Sequence, residues 1–291
     1  MKIDLEKEVV YSNNGDAVTF KEILTELRPF EDDVIYLGGS LVEGIVGSFS
    51  KGMGNSYSDV DVFIIREHRK FSDTKAEYNL PARKIYFSDG FPLGLDIEVF
   101  DRDYILEFAS ALMRYEPKAD ERSWSSIASQ FPPGSDFNAM VTFMNRLKNS
   151  VCIHNHTQYE ELRSLTDFGK FLLIRRDNYI VQMDNIFPDI SGNLEAKQYD
   201  VALFCMRELF MLQISAVLCH ENVSFDNKKW LPLKFSNYVG QTGKYRKLWD
   251  VYQELFRGQL TDDPVCAGTI ERAVKICKSA TEEMILGDLV I

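Results

Sequence analysis

In the stretch SDVDVFII, residues 58–65, acid and apolar side chains alternate and then give way to an unbroken apolar run. Alternation marks a strand with one wet face, and a continuous apolar run marks a strand covered on both. A chain with both has to build a buried sheet that is polar at one end. Successive side chains of a strand point to opposite faces, so Asp59 and Asp61 project from the same one. LDIEVF, residues 95–100, repeats the arrangement with Asp96 and Glu98. Carboxylates gathered on neighbouring strands repel one another unless a cation sits among them. Hard oxygen ligands of this kind suit Mg2+ or Mn2+. A metal pair, or one metal with a general base, is the natural chemistry of such a set. The bland alternative is a solvated acidic strand edge.

Around these strands the pattern predicts a mixed N-terminal half. Thr19 and Glu22 form a capping box ahead of the amphipathic FKEILTELR, which Pro29 closes. DVIYL (33–37) reads as a short strand ending at Gly38-Gly39, RKIYF (83–87) as a strand that forms a hairpin with 95–100 or lies adjacent to it, and residues 101–115 as a helix. SQFPPGSD (129–136) is a turn-rich joint. Beyond it long helical patterns dominate. The segment from 198 to 222 is apolar almost all round and belongs at the centre of a helical bundle. The expected fold is α+β: a mixed β-sheet domain with helices over residues 1–130, followed by an all-helical domain over 131–291.

Composition narrows the function classes. Apolar residues make up 45% of the 291, enough for a real core. No apolar run of membrane-spanning length and no signal-type leader stands out, so a cytoplasmic protein is expected, with no membrane partner. The formal charge of -11, from 33 basic and 44 acidic residues, disfavours nucleic acid as the main partner. The five cysteines are odd in number and lack a Cys-x-x-Cys spacing, which argues against a disulfide framework or a zinc site. Cys205 and Cys219 read as small core residues.

A Gly-Ser turn precedes the acids, and it is written twice: Gly39-Ser40-Leu41-Val42-Glu43-Gly44 and, eight positions on, Gly47-Ser48-Phe49-Ser50-Lys51-Gly52. Glycine lets a backbone approach a ligand closely, and a helix start offers free amide hydrogens to an anion. A strand, a Gly-Ser turn, Asp-x-Asp and a later strand with a third acid together resemble the signature of the DNA polymerase beta-like nucleotidyltransferase superfamily. GSFSKGMGNSYSDVDVFII (47–65) is particularly similar to the antibiotic nucleotidyltransferases of lincosamide and kanamycin type. The resemblance covers about residues 30–100.

The resemblance implies that Asp59, Asp61 and a third acid bind Mg2+ or Mn2+. Asp96 is the favoured third ligand, with Glu98 as the alternative or as a base. Gly-Ser then holds the triphosphate of a nucleoside triphosphate, ATP foremost. Ser48 meets the family spacing of ten residues to the first Asp; Ser40 meets it once residues 45–52 are taken as an insertion. The strand context favours Gly39-Ser40 over Gly47-Ser48, because Glu43 and Gly44 spoil a buried strand before the second copy. The implied activity is transfer of a nucleoside monophosphate, AMP from ATP, onto a small-molecule or peptide acceptor with release of pyrophosphate, in antibiotic modification or biosynthesis. A homodimer also follows by analogy. Two other readings stay open: a non-catalytic nucleotide-binding module, and a protein-modifying nucleotidyltransferase of toxin–antitoxin type.

Elsewhere, Lys229 beside Trp230 is a candidate phosphate contact or an exposed lysine next to a core-anchoring ring. Arg207 and Glu208 read as a buried structural pair or as a cleft-facing substrate pair, with Glu208 a candidate base. His154 and His156 could ligate metal from a strand, but with no third ligand nearby they read as a surface loop. Tyr245, Arg246 and Lys247 read as a solvated helix face, with a phosphate contact as the alternative.

Overall fold

The computed structural model describes residues 2–11, 15–39, 42, 59–88, 90–116, 127–132, 136–225 and 227–288. The chain divides into two compact units, Met1–Tyr115 with Gln130–Phe168, and Glu116–Ser129 with Gly169–Ile291.

The first unit is built on a mixed sheet. Its central pair is β5 (Val60–Arg66) and β8 (Leu95–Asp101), which run parallel with Asp61 opposite Asp96 and Phe63 opposite Glu98. The apolar runs that identified these strands are what lets them lie side by side in the interior. Antiparallel neighbours extend the sheet. On one side are β4 (Val34–Leu37) and β9 (Val151–His154); on the other, β7 (Arg83–Ser88) and the short β6 (Tyr78–Asn79). Three short strands, β1 (Lys2–Asp4), β2 (Val9–Tyr11) and β3 (Ala17–Thr19), form a second, antiparallel sheet.

Each face of the large sheet is covered. Ile35, Leu37, Val62, Ile64, Ile97 and Val99 form one cluster with Ile3, Val10 and Val18 of the small sheet and with Phe20, Ile23 and Leu27 of α1 (Phe20–Leu27). The predicted capping box starts α1: Glu22 N donates to Thr19 Oγ1 at 3.1 Å and Thr19 N to Glu22 Oε2 at 2.7 Å. Arg28 ends it in the left-handed region. The other face carries rings. Tyr36 stacks on Phe63 with centroids 5.2 Å apart, Phe63 lies 6.5 Å from Phe100, and Phe100 is 5.2 Å from Phe143. Burying each such ring contributes about 1.5–3 kcal/mol.

Three helices complete the described part of this unit besides the short α2 (His68–Asp73): α3 (Arg102–Arg114), α4 (Phe137–Lys148) and α5 (His156–Ser164). In α4, Met140, Phe143, Met144 and Leu147 are buried at helical spacing. The boundary therefore differs from the expected 130/131. Residues 130–168 belong with the sheet, because β9 supplies its edge strand against β4. The apolar periodicity of α4 is genuine; a sheet, rather than a bundle, receives it.

In the second unit, α6 (Phe168–Glu195, its first residue in the first unit), α7 (Tyr199–His220), α8 (Leu231–Thr242), α9 (Arg246–Arg257) and α10 (Asp263–Asp288) enclose one apolar core. Helix α6 runs past Pro188, which costs it one backbone bond, because Ile190 beyond the proline is buried in that core. Helix α7 has the expected central place. With 22 residues, and a mean hydropathy of 1.7 over an 18-residue window, it does reach membrane-spanning length, contrary to the sequence expectation, but 67% of that window is buried inside the protein.

Several local expectations are corrected. His154 ends strand β9 and His156 opens α5, so neither lies in a loop. Arg207 and Glu208 are not a buried pair: Arg207 Nε donates to the Leu255 carbonyl at 2.7 Å, while Glu208 is exposed. Tyr245 is half-buried and donates to Glu221 Oε1 at 3.1 Å, so only Arg246 and Lys247 behave as a solvated face. None of the five cysteines forms a disulfide.

Candidate functional site

The fold brings Gly39, Asp59, Asp61, Asp96 and Glu98 to one end of the β5·β8 pair. Strand β4 ends at Leu37, and Gly38 N donates to the Asp61 carbonyl at 3.1 Å, drawing the turn against β5. Gly39 has a φ of +76°. A Cβ there would overlap Asp61 Oδ2 and Arg146 Nη1 and lie 2.8 Å from Asp61 Cγ. Gly94, at a φ of +62°, plays the same part on the other side: its Cβ would lie 2.9 Å from Asp59 Oδ1. Each aspartate of the Asp-x-Asp pair is thus met by a glycine whose missing side chain makes room for a carboxylate.

The charges are unequally balanced. Asp61 Oδ2 is 2.9 Å from Arg146 Nη1 of α4. Glu98 Oε2 accepts from Arg83 Nη1 at 3.0 Å across the β7·β8 pair. Among the described residues no ion pair engages Asp59 or Asp96. Asp96 Oδ1 is buried and has no hydrogen-bond partner among them. Its carboxyl is pushed up to about 6, first by burial and then by the charges of Asp61 and Glu98, with Arg146 opposing. Burial also raises Glu98, against the pull of Arg83 and Arg146. The phenol of Tyr36, fully buried beneath this cluster, is raised well above its usual range by burial and by Glu98.

Compared with known protein families and with curated proteins, the chain matches none. The site is therefore read from its own chemistry. An all-oxygen donor set with a buried carboxylate oxygen that has no partner among the described residues fits a hard divalent cation. Asp61 is meanwhile engaged by Arg146, and the three aspartates are not drawn tight. Among the described residues the one trio of ligand atoms lying within 4.8 Å of each other is His68, Asp101 and Asp103. That trio lies at the opposite end of the same strands and is self-contained. His68 Nδ1 and Asp101 Oδ2 are 2.6 Å apart, and Asp101 Oδ1 caps α3 by accepting from Asp103 N at 3.0 Å. The hydrogen bond to Asp101 raises the imidazole of His68.

The remaining candidates fall elsewhere. Ser40, Gly47 and Ser48 lie outside the described residues, and with them the choice between the two turns. Lys229 belongs to the second unit, in a short 3-10 turn, where its Nζ sits 5.1 Å from the centre of the Trp230 ring. Glu208, with Lys228, Gln182 and Asn185, lines a cleft of about 440 Å³ in that unit.

Two residues of the acidic cluster were missed by sequence reasoning, Arg146 and Arg83. Arg83 had a signal, since it heads the strand that pairs with LDIEVF. Arg146 had none. Its helix carries no motif, and only the fold sets it against residues more than eighty positions away in the chain.

Proposed function

We propose that the chain is a metal-dependent nucleotidyltransferase that moves a nucleoside monophosphate, AMP from ATP, onto a hydroxyl of a small-molecule or peptide acceptor. One observation carries the reading. The parallel β5·β8 register sets Asp61 opposite Asp96, whose buried Oδ1 has no partner among the described residues, with Gly39 packed on Asp61. The order of motifs in the sequence supports it, as does a net charge of -11, which favours a small cationic acceptor over a nucleic acid.

Asp59, Asp61 and Asp96 would hold Mg2+ or Mn2+. When bound, the ion would neutralise the triphosphate and stabilise the charge that develops on transfer. The chain's own contribution is positional. Gly39 admits the backbone close to the acids, where a side chain would fill the space. Glu98 is held by Arg83 and is a poor candidate for a mobile base, so it serves to tie β7 to β8 beside Asp96. The third-ligand role therefore goes to Asp96.

The test is pyrophosphate release from each of the four nucleoside triphosphates with Mg2+, for the wild type and for Asp61→Asn. The reading expects one preferred nucleotide and at least about a hundredfold loss in the variant. Binding of nucleotide without any release would favour the non-catalytic module, and full turnover by Asp61→Asn would overturn the mechanism.

A further inference from the structure

Arg146 is placed where an ion would be. It sits on the flank of α4 whose Phe143 and Leu147 are buried, and its guanidinium lies 5.3 Å from the centre of the Phe63 ring. From there Nη1 reaches Asp61 Oδ2 at 2.9 Å. Gly39 closes the third side, for any Cβ at that position would overlap both partners. The pair is not sealed in: the two side chains keep 17% and 21% of their exposure, so an ion from solvent can reach Asp61.

The charge count gives the arrangement its sense. Among the described residues four carboxylates, Asp59, Asp61, Asp96 and Glu98, share two guanidinium groups, and Arg83 is committed to Glu98. Of those two groups, that leaves Arg146 for the remaining three acids. A divalent ion binding among them would compete with Arg146 for Asp61, since both seek the same oxygen. A displaced Arg146 would still be tethered beside Gly39, where its planar five-donor fork suits a phosphate.

We propose that Arg146 is the built-in counter-cation of the acidic cluster: it holds Asp61 in the absence of an ion, yields Asp61 to an incoming divalent cation, and then turns its guanidinium to the polyphosphate of the bound nucleotide. This rests on the nucleotidyltransferase reading for the identity of the anion, while the competition for Asp61 stands on the geometry alone. Arg146 is in this sense a positioning residue that sets the order of binding, ion first and polyphosphate after.

The experiment measures Mn2+ affinity without nucleotide, by the paramagnetic signal of free Mn2+, for the wild type, Arg146→Gln and Arg146→Lys. Removing a competing charge should tighten Mn2+ binding by about fivefold or more in Arg146→Gln, with Arg146→Lys between the two. Binding of ATP to the Mn2+-loaded protein should weaken in the same variant. A merely structural role for Arg146 would loosen both. In case the variants fold poorly, the side-chain Nε–H resonance of Arg146 in the wild type gives a second readout, expected to shift when Mg2+ is added. Mn2+ affinity unchanged or weakened in folded Arg146→Gln, or an Arg146 resonance indifferent to saturating Mg2+, overturns the proposal. If the wild type releases no pyrophosphate but Arg146→Gln still binds Mn2+ more tightly, the enzymatic reading fails and the counter-cation stands. Release by the wild type with no change in Mn2+ affinity fails the counter-cation alone.

Discussion

Replacing Asp96 by asparagine should make the protein more stable at neutral pH when no divalent ion is present. The carboxyl of Asp96 is raised from 3.8 to about 6, by burial first and by Asp61 and Glu98 next. The folded state therefore holds this proton more tightly than the unfolded chain. The stability that follows is fully present below pH 3.8 and is lost as the pH rises through about 6. Above that, the fold bears the cost of a charged carboxylate among its like. A displacement of that size corresponds to about 3 kcal/mol. Discounting for the water that still reaches this half-buried group leaves about 1–2 kcal/mol.

The substitution Asp96→Asn keeps the shape of the side chain, makes it neutral and removes that cost. Thermal unfolding in EDTA should give coincident curves for wild type and Asp96→Asn near pH 4. At pH 7.5 the variant should melt about 2 to 8 °C higher in the transition that belongs to the first unit. Excess Mg2+ should reverse the order. An ion at a hundred times its dissociation constant adds about 2.7 kcal/mol to the wild type, and less to a protein short of one ligand. A variant no more stable than wild type at pH 7.5 in EDTA, or Mg2+ raising both melting points equally, would refute the reasoning that Asp96 is a charged group waiting for a cation.

Two further predictions follow from the same unit. Gly39→Ala places a side chain at a φ of +76° and onto the Asp61–Arg146 pair; it should cost at least about 1–2 kcal/mol and shift the Arg146 resonance, and an unchanged melt with an unmoved resonance would count against the packing described. Arg66→Met removes both hydrogen bonds from Arg66 to Asp33, at 3.0 and 2.7 Å, and leaves a carboxylate with 0% exposure without its cation, the Phe30 amide still donating to it at 3.0 Å. Urea unfolding should show a loss of about 3–5 kcal/mol, largely recovered in the double variant Asp33→Leu/Arg66→Met; a loss under about 1 kcal/mol would mean water reaches the pair.

What the sequence revealed and what it hid divide by the range of the interaction involved. The capping box of α1 and the strand character of 60–66 and 95–101 depend on neighbours within a turn or on strict alternation, and both are legible. The shared face of the acids follows from alternation too, once the two strands are neighbours. Strand β9 was hidden because VCIH is four residues long and runs straight into the polar Asn155-His156; it becomes a strand only through its pairing with β4. That pairing in turn moves α4 out of the helical half, and no local pattern announces which surface an amphipathic helix will cover. Arg146 is the sharpest case. Its partner Asp61 and its stacking ring Phe63 both lie on β5, so its role exists only in the folded chain.

The two ends of the β5·β8 pair show why the imbalance, rather than acidity as such, points to a ligand. At the end formed by Arg66 and Asp101, the buried carboxylates are answered from within the protein. Asp33 receives two hydrogen bonds from Arg66, and Asp101 meets His68 with one oxygen while the other caps α3. Those acids are as buried as any described in the chain, at 0% and 5% exposure, and they need nothing further. At the other end the same kinds of residue stand on the same strands, yet Asp96 keeps a buried oxygen without a donor among the described residues, and the exposed Asp59 has no ion pair among them. Folding alone would favour a donor at Asp96, as it found at Asp33 and Asp101. Among the described carboxylates the deficit falls at one end of one strand pair, beside Gly39, and that is the arrangement expected where the missing positive charge comes from outside the chain.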